Sequence, residues 1–166
     1  IKNQLNLDTL YINTRFGILK VNNHNCVYGF GHFRYNKFFY GYIYPRIVNN
    51  PNYFRGYSGI PRNISRFGFN SGETDISGIG FQNNWFSFQV GRGRESWGAG
   101  NDIKIILSNK SPSYDYAMIS SKYRNVGVKY FHGFLESNPS YINRYIVGNG
   151  FEWTNNKNLN FGFSEV

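Results

Sequence analysis

Apolar and polar residues alternate with a period of two through much of the chain, and this pattern predicts β-strands. The clearest example flanks the dipeptide Asn83-Asn84, with one run over residues 79–82 and another over residues 85–90. Because Asn tolerates the positive φ of primed turns, we expect a tight hairpin there. Its two faces are predicted to carry Phe86, Phe88 and Val90 on one side and Ser87, Gln89 and Gly91 on the other.

Two further hairpins are predicted downstream. The first pairs residues 116–124 with residues 128–135 and turns around Asn125-Val126. The second pairs residues 144–153 with residues 159–165 across a connection of five residues. One face of this last hairpin is apolar, and it consists of Val147, Phe151, Trp153, Leu159, Phe161 and Phe163.

The first half of the chain has a less regular pattern. Turn residues between Pro45 and Ser71 interrupt the period, so a long loop is expected there. The fold predicted for residues 1–166 is a single all-β domain, an antiparallel meander of hairpins. The upstream strands are predicted at residues 5–11, 16–21, 27–35, 38–44 and 66–69.

The composition supports an all-β fold and excludes helical bundles and coiled coils. Aromatic residues make up 20% of the chain, with 16 Phe and 14 Tyr, whereas Ala, the best helix former, occurs twice. The 19 glycines supply turns and close backbone contacts. No apolar run approaches the ~20 residues that a spanning helix needs.

The lengths of the predicted connections favour one kind of β-protein. From Asn83 onward, short connections alternate with the longer segments 93–114 and 136–143, which we expect to lie together at one end of the strands. Short turns at one end and long loops at the other are typical of outer-membrane β-barrels. Aromatic residues near strand ends would suit the interfacial girdles of such a barrel, namely Trp85, Tyr123, Tyr145 and Trp153. A soluble β-sandwich has the same alternation along the sequence, so it remains an alternative interpretation.

The charge of the chain indicates an anionic partner. Lys and Arg number 18 against 9 Asp and Glu, a formal net charge of +9. Nucleic acid, acidic polysaccharide and a lipopolysaccharide surface all fit this charge. We expect no nucleic acid, because the basic residues are dispersed and no RNA-recognition motif is present.

A glycine- and arginine-rich stretch at residues 91–102 is the densest polar constellation. Arg92, Arg94 and Trp97 offer planar donors and a flat ring that suit a carboxylated sugar. The same arginines could instead pair with Glu95 or Asp102 and pin a loop, so both interpretations stay open. If the strands close a barrel, four charged residues are predicted to face its lumen: Lys122, Arg124, Lys129 and Glu152.

Nothing in the sequence predicts catalysis, a metal site or a cofactor. The three His residues lie far apart in sequence, and the carboxylates form no recognisable pair. The single Cys26 excludes a disulfide framework within the chain. A non-enzymatic protein is therefore expected.

Residues 86–166 resemble the capsule assembly Wzi family of outer-membrane proteins. The resemblance lies in Val90-Gly91-Arg92, Trp97-Gly98-Ala99-Gly100 and the segment 106–109, with a strand pair at residues 150–153 and 157–165. Ala99 stands where the family pattern has Pro. The resemblance implies a lectin that retains capsular polysaccharide at the cell surface through a large closed barrel, of which this chain would be an internal piece.

The resemblance also implies where the glycan is held. Arg92, Arg94, Trp97 and Asp102 become the candidates for polysaccharide contact or for loop architecture. The implied partners are an acidic capsular or extracellular polysaccharide and the lipid or lipopolysaccharide of the outer membrane. Two alternatives remain: a basic-lined porin that passes anions, and a soluble β-sandwich that binds carbohydrate.

Overall fold

The computed structural model describes residues 9–94, 112–135, 143–155 and 159–166. These residues form one antiparallel sheet in which every strand pairs with its neighbour in sequence, so β1 and β9 are its two edges. Within these ranges, no helix is long and apolar enough to cross a membrane. The strands are β1 (Leu10–Val21), β2 (His24–Tyr35), β3 (Phe39–Val48), β4 (Ser71–Gln82), β5 (Phe86–Gly93), β6 (Tyr114–Tyr123), β7 (Val126–Leu135), β8 (Arg144–Thr154) and β9 (Asn160–Glu165). The predicted all-β meander is confirmed.

Apart from the two-residue turn between β1 and β2, the connections divide by length between the two ends of the strands. At one end, which we call the short-turn edge, the connections are residues 36–38, 83–85, 124–125 and 155–159. At the other end, the long-connection edge, they are residues 22–23, 49–70, 94–113 and 136–143. The strand ends therefore confirm that the two long downstream connections start and finish at one edge, although most of their residues lie outside the described ranges.

Several predicted strand bounds were wrong. β1 is one continuous strand where two pieces were predicted, and β3 runs through Pro45 to Val48. The β3–β4 register shifts between Tyr44 and Pro45, and Asp75 is left without a direct partner there, as in a β-bulge. Bulges are among the few places where a sheet tolerates proline. The β6–β7 turn is Arg124-Asn125, one residue earlier than predicted.

One side of the sheet, the apolar face, carries large hydrophobic side chains on all nine strands and leaves many of them exposed. The pairing registers place these residues together because directly paired residues share a face. Phe16 is 83% exposed and Ile79 is 64% exposed, although both lie within strands. Exposed members of this face include Leu10, Ile12, Phe16, Ile18, Phe33, Ile43, Ile79, Phe88, Val90, Ile119, Val128, Val147, Phe151, Phe161 and Phe163.

A second sheet, which a soluble β-sandwich requires, is absent from the part of the chain that the structure describes. That alternative places Phe86, Phe88, Phe161 and Phe163 in a dry core between two sheets. The strands instead form one sheet, and Phe161 and Phe163 are 64% and 67% exposed. The predicted alternation itself is confirmed, since Phe88 shares its face with Val90.

The opposite side, the polar face, combines aromatic rings with glycines on neighbouring strands. A Cβ placed at Gly78 would lie 2.8 Å from the Tyr42 hydroxyl, and one at Gly80 would lie 2.5 Å from the Tyr40 ring. The rings therefore occupy the space above the cross-strand glycines, which restores packing that a glycine in a strand lacks. Tyr114, Tyr116 and Phe131 extend this layer as a small buried cluster.

Aromatic residues gather at the short-turn edge. Phe81 contacts Phe39 with ring centroids 5.2 Å apart and Phe86 at 6.4 Å, and Trp85 continues the row at 5.7 Å from Phe86. The exposed Tyr123 lies at the same edge. The apolar face thus ends in a band of rings at this edge.

Gly91 is the glycine of the polar face that we expect to tolerate a side chain least. A Cβ there would lie 2.3 Å from the backbone oxygen of Ser77, whereas a Cβ at Gly72 meets nothing closer than 3.9 Å. We expect Gly91→Ala to lower the free energy of unfolding by about 1–3 kcal/mol, because overpacking forces backbone shifts. Gly72→Ala, the matched control, should change it by less than about 0.5 kcal/mol. Urea unfolding measures both, and equal effects would contradict the close packing.

Candidate functional site

A buried ion pair joins β3 to β4 near the long-connection edge. Arg46 Nε donates to Asp75 Oδ2 at 2.5 Å, and the two side chains are 10% and 1% exposed. The bulge opposite Tyr44 allows Asp75 to reach Arg46 on the polar face. Two buried charges of opposite sign satisfy each other here, and a short charge-assisted hydrogen bond of this kind is among the strongest in proteins.

The ion pair also holds the first half of the 49–70 connection against the polar face. Asp75 Oδ1 accepts from the Ser58 backbone N at 2.8 Å and from the Ser58 hydroxyl at 3.1 Å. Arg46 Nη2 donates to the Gly56 carbonyl at 2.8 Å. Gly56 has a φ of +69°, a conformation that glycine adopts at little cost.

Aromatic side chains complete the environment of this ion pair. The Arg46 guanidinium lies 5.1 Å from the centre of the Tyr57 ring and 5.6 Å from that of Tyr44. The Tyr57 hydroxyl lies 2.8 Å from Ser71 Oγ. Burial raises the pKa of the Tyr57 phenol. Phe54 packs beneath on Cys26 and Val48.

A second polar network crosses four strands in the middle of the polar face. Gln89 Oε1 accepts from the Tyr40 hydroxyl at 2.7 Å, and Gln89 Nε2 donates to the Tyr42 hydroxyl at 2.7 Å. The same amide donates to the Tyr116 hydroxyl, which lies 3.2 Å from that of Tyr42. Tyr40 and Tyr42 are half-buried, whereas Tyr116 is 3% exposed, so mainly the first two rings offer a surface that suits a ring-shaped polar ligand such as a sugar.

Basic side chains flank the tyrosine network on both sides. Arg15 on β1 and Arg34 on β2 are exposed on the polar face. Arg34 is paired with Tyr40 on β3, and Arg15 lies one strand further away. On the far side the pairing registers place Lys122 and Lys129 on the same face. The carboxylates that share this face are fewer, and those of the described strands are Glu73, Asp75 and Glu152.

Of the predicted cluster at residues 91–102, the structure describes Arg92 and Arg94, and these two arginines have different partners. Arg92 lies on the apolar face, where its Nη1 is 3.2 Å from Asp115 Oδ1 across the β5–β6 pair. Arg94 instead donates to the Gly56 carbonyl and so helps to pin the 49–70 connection. Trp97 and Asp102 lie outside the described residues.

The four charged residues that were predicted to face a lumen separate into two groups. Lys122, Lys129 and Glu152 share the polar face through the β6–β7 and β7–β8 registers. Arg124 lies in the β6–β7 turn with a φ of +52°, and its guanidinium is 5.4 Å from the centre of the Tyr123 ring. The turn lies one residue earlier than predicted, which removes Arg124 from the strand.

The Arg46–Asp75 pair and the tyrosine network were missed from the sequence. A signal was present: Tyr40, Tyr42, Tyr44 and Arg46 alternate with a period of two. Pro45 led to a predicted strand end at residue 44, because proline usually interrupts a ladder. The partner strand was also predicted to begin too late to include Asp75.

Neither a metal site nor a similar protein adds to this description of the described residues. Among the described residues, no group of three or more His, Cys, Asp or Glu side chains could hold a metal ion. No protein-family model, curated protein or solved structure matches the chain. The residues themselves therefore carry the functional argument.

The two Arg–Asp pairs offer a matched test of the buried network. Asp75→Asn should lower the free energy of unfolding by about 3–5 kcal/mol, because it leaves the Arg46 charge buried without a counter-ion. Asp115→Asn breaks a pair whose carboxylate is 64% exposed, so we expect a loss below about 1 kcal/mol.

Limited trypsin digestion reports whether the ion pair holds the connection. In the Asp75→Asn protein, cleavage after Arg55 and Arg62 should become faster, while Asp115→Asn should match the wild type. Unchanged cleavage with lowered stability would show that the pair stabilises the sheet and does not hold the connection.

Proposed function

We propose that the chain is a wall segment of an outer-membrane β-barrel, with its apolar face against lipid and its polar face toward the lumen. The single observation that carries this proposal is an exposed apolar surface that continues across all nine strands. Water-soluble proteins rarely expose contiguous apolar patches of this extent. An antiparallel meander also satisfies its backbone groups by strand pairing, as a bilayer requires.

The two edges of the sheet support an orientation for this barrel. Bacterial barrels have short periplasmic turns and longer extracellular loops. The short-turn edge is then periplasmic, and its rings, from Phe39 to Trp85, form the interfacial aromatic girdle. The connection at residues 49–70 then lies at the cell surface, where its first half narrows the lumen.

Within this barrel we propose that the polar face binds an acidic polysaccharide and retains it at the cell surface. Support comes from the tyrosine network around Gln89 and from the arginines and lysines on both sides of it. Guanidinium groups recognise carboxylates through paired hydrogen bonds. The resemblance of residues 86–166 to the Wzi family is consistent with this proposal. Arg92 and Arg94 contribute to architecture in it, because both have protein partners.

An anion-passing channel is the second candidate function. The observation that favours it is the first half of the 49–70 connection, which Arg46 and Asp75 hold against the polar face. A loop fixed inside a barrel constricts it, and rings of basic residues set anion selectivity. A channel of this kind would let anions pass and would not retain a polysaccharide.

Adjacent residues on β6 test the lipid contact. Ile119→Lys should lower the free energy of unfolding of the protein folded in lipid vesicles by about 2–4 kcal/mol, the cost of a lysine near the bilayer midplane. Ser120→Lys places the same charge on the polar face, opposite Lys129, and should cost less than about 1 kcal/mol. Urea titration in vesicles measures both. Since Ile119 is already exposed, a neutral Ile119→Lys would contradict the lipid contact.

Arg15 and Arg34 test glycan binding. Arg15→Gln/Arg34→Gln should weaken binding of alginate oligosaccharides, used as a carboxylated probe, by roughly tenfold or more, because each lost charge-assisted hydrogen bond contributes about 1.5–3 kcal/mol. Isothermal titration of the folded protein in detergent gives the dissociation constant. Neutral dextran oligosaccharides serve as the uncharged probe.

The control removes the same charge at the short-turn edge. Lys37→Gln/Arg124→Gln should bind alginate like the wild type, since both residues lie in turns away from the polar face. If the Arg15/Arg34 variant binds normally but loses anion selectivity in planar bilayers, the channel becomes the preferred function. Heat-modifiable mobility on gels verifies that each variant has folded.

A further inference from the structure

The second half of the 49–70 connection forms a small hairpin of its own. Arg62 N donates to the Asn70 carbonyl at 2.8 Å, and Arg66 and Phe69 exchange backbone hydrogen bonds of 2.8 and 2.9 Å. Phe67 and Gly68 form its tip, with φ values of +53° and +81°. Positive φ at both central residues is the requirement of a type I′ turn. We call this element the 62–70 hairpin.

The tip of this hairpin presents apolar side chains to the surroundings. Phe67 is 100% exposed, Ile64 is 71% exposed, and Ile60 just before the hairpin is 78% exposed. A bulky residue at positive φ costs conformational free energy, and turns of this type normally use Asn, Asp or Gly. Within the described structure Phe67 gains no packing that could offset this cost. An external partner for the ring would account for it.

The hairpin leans toward the apolar face, whereas the first half of the connection lies on the polar face. A groove of about 520 Å³ separates the hairpin from the strands, and Ile47 and Gly72 form part of its lining. Ile47 and Gly72 are paired on the apolar face, at the long-connection edge. The apolar surface of the sheet therefore continues onto Ile64 and Phe67.

Basic groups accompany these apolar side chains. Arg62 and Arg66 are exposed, and neither forms an ion pair within the described parts of the chain. Lys20 adds a third exposed cation on the apolar face near the same edge. Guanidinium groups bind phosphates through paired hydrogen bonds. Apolar side chains interleaved with arginines match a lipid surface whose headgroups carry phosphates.

We propose that the 62–70 hairpin binds a phosphate-bearing lipid of the outer leaflet, with Arg62 and Arg66 on the phosphates and Phe67 among the acyl chains. This inference rests on the proposed membrane barrel, because the hairpin reaches lipid only if the apolar face does. In a lipid of this kind, the headgroup phosphates would bind the arginines and the acyl chains would surround the Phe67 ring. Both the exposed cations and the exposed ring of the hairpin then have a partner.

The first experiment measures lipid binding by the whole protein. Lipid A, an acylated disaccharide with two phosphates, is titrated into the protein folded in detergent, and native mass spectrometry gives the dissociation constant. Arg62→Gln/Arg66→Gln should raise this constant about tenfold or more. Phe67→Asn should raise it severalfold, because Asn keeps the turn conformation and removes the ring. The control Lys37→Gln/Arg124→Gln should leave it unchanged.

The second experiment places a fluorophore at the tip and does not depend on the arginine variants. Phe67→Trp, compared with the wild-type background of three tryptophans, should add emission that brominated acyl chains quench and aqueous acrylamide does not. If the arginine variant fails to fold, this measurement decides the matter alone.

The outcomes separate the inference from the proposed barrel. A protein that never becomes heat-modifiable in lipid overturns both. A folded Arg62→Gln/Arg66→Gln protein that binds lipid A like the wild type overturns only the hairpin inference, and so does an equal loss in the control. Displacement of lipid A by millimolar inorganic phosphate would show a site for free phosphate instead. Acrylamide quenching of Trp at position 67, without quenching by lipid, would overturn the hydrocarbon contact and indicate a protein partner.

Discussion

The ion pair between Arg46 and Asp75 connects the sheet to the first half of the 49–70 connection. It is buried, and it exists because a bulge at the β3–β4 pair brings an unpaired strand residue onto the polar face. Its remaining hydrogen bonds go to Ser58 and Gly56, so the charge network is satisfied by the connection itself. One buried pair thereby connects two strands and a loop. Removing either partner would leave the other charge buried without a counter-ion, which strongly lowers stability.

This attachment gives the 49–70 connection two halves with different surroundings. Residues up to Ser58 pack on the polar face, where Phe54 covers Cys26 and Val48. Beyond Gly59 the chain turns toward the apolar face, where Ile64 and Phe67 have no neighbours to bury them. In the proposed membrane barrel, these two halves would face the lumen and the lipid, respectively.

The two faces of the sheet carry different kinds of chemistry. On the apolar face the side chains vary in size, and the charged residues of the described strands lie near strand ends, as for Lys20 and the Arg92–Asp115 pair. The polar face uses tyrosines that lie over glycines, and Gln89 links three of their hydroxyls. A glycine floor lets the rings lie flat without steric conflict. Such a surface offers both stacking and hydrogen bonding, which sugars and small anions can use.

The sequence by itself determined the strand periodicity, the two faces of the downstream hairpins and the division between short and long connections. These features depend on local alternation, and a period of two assigns a side chain to a face without reference to other strands. Only the tertiary structure decided that the apolar face is exposed, because a sandwich and a barrel have the same alternation. It also decided the partners of Arg92 and Arg94, which come from Asp115 and from Gly56. Residues so far apart in sequence meet through strand register and loop path, and neither is encoded in local pattern.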